Sequence, residues 1–271
     1  MEIIFYVFAS GMGLIIGSFL NCLIWRLHTG ESLNGRSHCP KCGRQINWYD
    51  NIPVLSFLLL RGRCRYCRKK ISWQYPIVEL TTGLLFLIAF ARIFPKEAFL
   101  SPAYPFRPAD FLALFRDWFL IAVMVIVFIY DLRWYLILDV ITLPAAAVLF
   151  LTNLGIMVLE GRAWPGLAYL LLSGIIGGSF FLLQFLISRG RWIGGGDIRL
   201  GFLMGLALGW PQVLTAIFLA YFLGSIVGLG LIASGKKEWG SKVPLGTFLS
   251  VATLAALFWG EQILNWYLNL F

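Results

Sequence analysis

The chain has 271 residues, of which 59% are hydrophobic and only 13% charged. A soluble domain carries about 25% charged residues, and several apolar runs here exceed the ~18 residues that cross a bilayer, so a water-soluble globular fold is excluded. The formal net charge of +9 would suggest nucleic acid if it were spread over a folded surface. Its excess is instead gathered in one loop, so nucleic acid is not an expected partner.

Predicted spans lie, in chain order, near 3–25, 76–94, 112–130, 138–159, 165–187, 198–209, 211–233 and 245–268. The expected fold is all-α: a polytopic membrane protein of about eight transmembrane helices, with a small cysteine-containing loop between the first two. The first span lacks a basic leading segment and a small-residue cleavage site, so it reads as a retained span and not a signal peptide. Arg116 and Asp117 interrupt the third near one end, where they can pair. The sixth is short, and Gly209-Trp210-Pro211 is the only break before the seventh. No repeated unit or low-complexity tract is evident.

Between Arg26 and Gln74 stand ten basic residues against two acidic ones, Glu31 and Asp50. This loop also holds Cys39-Pro-Lys-Cys42 and Cys64-Arg-Tyr-Cys67, two C-x-x-C pairs separated by 21 residues. That spacing is close to structural zinc sites, where four thiolates close a tetrahedral shell and leave no open position. In a reducing compartment metal is favoured over disulfides, and redox chemistry would not need two pairs. Gly43, after the first pair, suits a tight turn, and Arg68 holds the same place after the second. His38 adjoins Cys39 and reads as a bystander, Cys22 as a packing residue. The charge of the loop suits anionic lipid headgroups.

Lys and Arg also set orientation. With the cysteine loop in the cytoplasm, eight alternating spans put seventeen of the twenty-two basic residues on that side, and both ends of the chain outside. Asp131 then ends the third span and Asp197 begins the sixth, at one face and at similar depth. Asp139 starts the fourth on the same side.

Two carboxylates held together at a membrane mouth cannot both ionise cheaply, so they share a proton and present an acid beside a base. Such a pair can activate water and protonate a leaving amine, which is aspartyl peptide hydrolysis. Gly194, Gly195 and Gly196, just before Asp197, allow a sharp turn and the close approach of another chain, such as an extended substrate. Other readings stand beside this one. Asp197 and Asp139 can be helix N-caps, Asp131 can pair with Arg133, and intramembrane carboxylates also line proton or ion paths in transporters.

At these residues the sequence resembles the type IV prepilin leader peptidases, bacterial members of the GxGD intramembrane aspartyl proteases. The matching stretches are Gly17–Leu27 (GSFLNCLIWRL), the segment within Cys39–Cys67, Tyr75–Gly83 (YPIVELTTG), Asp131–Pro144 (DLRWYLILDVITLP), Gly194–Asp197 (GGGD) and Val243–Ser250 (VPLGTFLS). They follow the family's order over nearly the whole chain.

The resemblance implies that Asp131 and Asp197 are the catalytic pair and that Cys39, Cys42, Cys64 and Cys67 are the metal tetrad. It also implies that the chain cleaves the basic leader of prepilins or pseudopilins at the cytoplasmic edge of the bacterial inner membrane. Many members then N-methylate the new N-terminus with S-adenosylmethionine, for which the cysteine loop and Tyr75–Gly83 are candidate contacts. Residues 26–75 would be the methyltransferase-associated loop, and 76–271 the peptidase domain with the first helix packed against it. Two departures stand near the pair. Leu138 precedes Asp139 where the family often has Pro, and Arg199 replaces a Lys two residues after Asp197, keeping its charge but not its ability to lose a proton. The rival functions are an ion-coupled transporter using the same Asp pair and a non-catalytic scaffold docking a pilus-assembly partner.

Overall fold

The computed structural model describes residues 2–100, 105–238 and 241–270. The chain divides into two compact units, Met1–Pro105 and Phe106–Phe271. Its regular structure is helical, and no strand occurs among the described residues beyond two isolated bridges. Seven of the described helices are long and apolar enough to cross a membrane, and the chain is a multi-pass membrane protein.

In the first unit, α1 (Glu2–Thr29) packs against α3 (Gln74–Ile93). Glycines set their spacing. A Cβ on Gly13 would lie 2.7 Å from the Gly83 Cα, and one on Gly17 2.8 Å from the Glu79 Cα. Farther along, Asn21 Nδ2 donates to the Tyr75 carbonyl at 3.2 Å. Partners that descend along α3 as α1 ascends make the pair antiparallel, and small residues let the backbones close without a large apolar wedge. Between them runs the cysteine loop with a 3-10 turn at Trp48–Asn51 and one short α-helix, α2 (Leu55–Leu59). The five-residue helix α4 (Lys96–Leu100) follows α3.

The second unit holds α5 (Pro108–Trp134), α6 (Asp139–Leu159), α7 (Ala163–Ser188), α8 (Gly195–Leu208), α9 (Gln212–Ala233) and α10 (Leu245–Leu268). Its core lies along α5 and α8, where Leu120, Ile121, Met124, Leu200, Leu203 and Met204 are fully enclosed. The expected sixth span is α8, and it differs from its neighbours in length. Fourteen residues extend about 21 Å, short of the ~30 Å hydrocarbon layer. It is packed against α6, α7 and α10.

That far end is fastened by side chains. Asn153 Nδ2 donates to the Leu206 carbonyl at 2.8 Å, and Arg116 Nη1 donates to Asn153 Oδ1 at 3.1 Å. Arg116 also grips the fully buried Asp117 at 2.7 Å. The expected Arg116–Asp117 pair therefore exists, and it belongs to a chain of bonds that satisfies a carbonyl at the C-terminus of α8. At the near end, the last turn of α5 and the segment after α9 come together with the first turns of α6, α8 and α10. Contacts between Asp139 and Arg199, Asp131 and Thr247, and Lys237 and Tyr135 record this.

Candidate active site and metal centre

Asp131 lies in the last turn of α5. Tyr135, in the left-handed region at φ 54°, ends that helix, its N–H donating to the Asp131 carbonyl at 2.9 Å. Residues 136–138 then run to α6 and place Ile137 against the start of α8. A Cβ on Gly196 would sit 2.9 Å from the Ile137 Cβ, so this glycine is needed for close approach. Gly195 meets nothing within 4 Å. None of the three glycines takes a positive φ. The chain that lies close to Gly196 is the protein's own α5–α6 connection.

Asp197 is the third residue of α8, and the N-cap is Gly194. Its Oδ2 accepts the Gly194 N–H at 2.8 Å, a reach back to the helix start that satisfies an otherwise orphaned donor. The expected capping role of Asp197 is therefore present, made from the third position of the helix and not from the cap. Asp131 does not pair with Arg133, whose guanidinium lies over the Trp134 ring. Its Oδ2 accepts instead from Thr247, through the backbone N–H at 2.7 Å and the hydroxyl at 3.2 Å.

Gly246 stands beside the same oxygen; a Cβ there would be 3.0 Å from both Asp131 Oδ2 and Ile137 Cδ1. The N-termini of α8 and α10 thus deliver amide donors to the two carboxylates, and each N-terminus favours negative charge. Asp131 is 5% and Asp197 7% exposed, and Ile137 packs against both the start of α8 at Gly196 and the start of α10 at Gly246, beside Asp131.

Asp139 is the first residue of α6, not its cap. Leu138 holds the cap position and makes no side-chain capping bond. Asp139 pairs with Arg199 of α8, and both remain about half exposed. The pair ties the starts of α6 and α8 together beside Asp197. Thr247 and Gly246 went unnoticed in the sequence as site residues. The stretch containing them was recognisable, but nothing in its composition says that its first amides point at a carboxylate 116 residues away.

The first unit carries the cysteine cluster. Cys39, Cys42, Cys64 and Cys67 offer sulfurs that all lie within 4.8 Å of one another, with Cys39 and Cys67 Sγ 4.0 Å apart. All are free thiols. Thiolates about 2.3 Å from one tetrahedral ion stand ~3.8 Å from each other, so the cluster fits structural zinc.

Burial pushes the Cys39 thiol up to about 11, against the pull of the Lys41 and Cys42 amides. At Cys64 burial also raises, but the Cys67 and Tyr66 amides outweigh it and bring the thiol down to about 7. In both pairs amides point at the leading sulfur, the arrangement that supports a bound thiolate. His38 is not in the cluster and stands 3.5 Å from Glu31.

The two pairs are local copies, a repeat invisible in the sequence apart from its cysteines. Cys39 N–H bonds Arg44 O and Gly43 N–H bonds Cys39 O. Twenty-five positions later Cys64 N–H bonds Lys69 O and Arg68 N–H bonds Cys64 O. Isolated bridges close both, His38 with Gln45 and Arg63 with Lys70. The turn residue is left-handed in each, Gly43 at φ 69° and Arg68 at φ 58°.

Residues 12–93 match a family model described as the bacterial peptidase A24 N-terminal domain, and residues 118–229 one described as the type IV leader peptidase family. A prepilin leader peptidase/N-methyltransferase of Aeromonas salmonicida is 33% identical, the match covering 94% of this chain and 91% of that protein. Proteins of the same description from Aeromonas hydrophila and Stutzerimonas stutzeri are 33% and 30% identical, covering 95% and 98% of this chain and 92% and 94% of theirs. No solved structure matches the chain.

Proposed function

Because the chain belongs to the type IV leader peptidase family, we propose that it cleaves the basic leader of prepilins or pseudopilins and then N-methylates the exposed N-terminus. The work is done at the cytoplasmic face of the bacterial inner membrane. The observation that supports the hydrolytic half is that Asp131 and Asp197 are both buried at one end of the second unit, each held through one oxygen by a helix N-terminus.

In this reading the pair holds one proton between two carboxyls. Asp131, served by both donors of Thr247, is the better place for negative charge and takes a proton from the attacking water. Asp197, with a single amide donor, carries the shared proton and delivers it to the leaving amine. Arg199, paired with Asp139, positions the start of α8 and stays out of proton transfer. The family assignment lends no support to the transporter or scaffold readings.

Zinc in the cysteine cluster would hold the two turns together through four thiolates, with no open position for substrate. S-adenosylmethionine would supply the methyl group. In the first unit the buried side chains of Asn21, Glu79 and Thr82 are engaged by the protein itself, whereas Trp25 Nε1 and Glu2 Oε2 are buried without a hydrogen-bond partner. We assign the cysteine loop, 26–75, to the methyl-transfer half and the membrane-embedded 76–271 to the hydrolytic half.

The test uses purified protein and a synthetic prepilin in detergent, with and without S-adenosylmethionine, read by mass spectrometry. Asp131→Asn and Asp197→Asn should each abolish leader removal while the protein stays folded. Retained cleavage in either variant refutes the dyad.

A further inference from the structure

We propose that α2 is an in-plane membrane anchor. It lies in the headgroup layer of an anionic bilayer and seats the cysteine loop on the lipid surface.

Its polarity is inverted for a helix in water. Ser56 is buried, its hydroxyl donating to the Ile52 carbonyl at 2.6 Å, while Leu55, Leu58 and Leu59 are 48%, 62% and 72% exposed. A loop helix facing solvent would hide its leucines and show its serine. Trp48 and Trp73 are also open, at 74% and 69%, and tryptophan concentrates at membrane interfaces.

Depth is fixed independently. The Val54 N–H, at the start of α2, donates to Glu79 Oε2 at 2.7 Å. Glu79 is the sixth residue of the spanning helix α3. Helical side chains lean toward the N-terminus, so this bond holds α2 at the level where α3 enters the bilayer. The Phe57 ring packs on Trp73, immediately before α3, with centroids 4.9 Å apart. Ile77, Leu80 and Leu84 of α3 itself are open, so the helix that fixes α2 also presents apolar side chains suited to lipid.

Charge selects the lipid. Directly after α2 come Arg61, Arg63, Arg68, Lys69 and Lys70, all exposed, while Arg65 among them is paired with Asp50. Apolar residues that enter the interface, followed by a run of cations, form the usual pattern of a helix lying on anionic headgroups. The same cations repel a basic leader, which argues against the prepilin as the group covering these leucines.

The test places benzoylphenylalanine at Leu59 in the full-length protein. The protein is reconstituted in phosphatidylcholine vesicles containing a quarter phosphatidylglycerol, with a synthetic prepilin present. After irradiation, intact-mass spectrometry identifies the adduct. The same label at Leu84 of α3 is the lipid-facing control. Lipid adducts are expected at Leu59, with phosphatidylglycerol enriched about twofold over its share and the enrichment lost in Arg61→Gln/Arg63→Gln. A prepilin adduct at Leu59 overturns the proposal. So does the absence of any lipid adduct there while Leu84 captures lipid.

Discussion

Gly205→Ala tests whether the α7–α8 contact places Asp197. A Cβ at Gly205 would lie 2.1 Å from the Ser173 carbonyl oxygen, 2.6 Å from its carbon and 2.7 Å from the Gly174 Cα. All three are backbone atoms of α7 and cannot rotate away. Ordinary contact begins at 3.4 Å, so the helices must part by about 1.3 Å. The Asn153 bond resists movement at the C-terminal end of α8, which directs the displacement toward the end bearing Asp197. A misplacement of ~1 Å at reacting groups costs about a hundredfold in rate, and overpacking costs about 1–3 kcal/mol of stability.

The assay is leader cleavage of a synthetic prepilin, run beside methylation of a pilin peptide already lacking its leader. Cleavage should fall about a hundredfold while methylation holds. Gly228→Ala on α9, whose Cβ meets nothing within 4 Å, should behave as wild type. A Gly205→Ala protein that cleaves at the wild-type rate with an unchanged melting temperature would refute the reasoning.

Thr247→Val keeps the N–H to Asp131 but removes the hydroxyl donor; losing one bond to a charged group, ~1.5 kcal/mol, should lower kcat/KM for prepilin about tenfold, with Thr247→Ser restoring most of it. Asn153→Leu keeps the volume but strands the Leu206 carbonyl and Arg116 Nη1, so thermal unfolding should show a loss of about 2–4 kcal/mol. Arg68→Gly removes a left-handed side-chain penalty at φ 58° of ~1 kcal/mol; zinc release to a chelator should slow about fivefold.

What could be read from the sequence was what hydropathy and spacing encode. The spans were legible, including the brevity of the sixth, because apolar run length maps directly onto bilayer thickness. So was the arrival of Asp131 and Asp197 at one end of the second unit, since alternation of spans alone brings those positions together. The tetrad was legible from its two pairs.

What escaped depends on long-range contact. Asp139 could be placed at the start of α6, but not beside Arg199, sixty positions on. The amides of Thr247 gave no sign of their target. Gly201 and Gly205 were a missed signal rather than an absent one. Their four-residue spacing is the pattern of close helix approach in membranes, and a Cβ on Gly201 would also fall 2.5 Å from the Gly177 carbonyl. The exposed leucines of α2 were hidden because a five-residue helix has no periodicity to measure.

The duplication of the two cysteine turns bears on how the chain matures. Each copy brings two sulfurs, half of what a tetrahedral ion requires, and the second emerges from the ribosome twenty-five residues after the first. Neither can capture the ion securely alone. A tetrahedral ion held here would therefore need both turns at once, so its binding would join two stretches of chain that are otherwise separate in sequence.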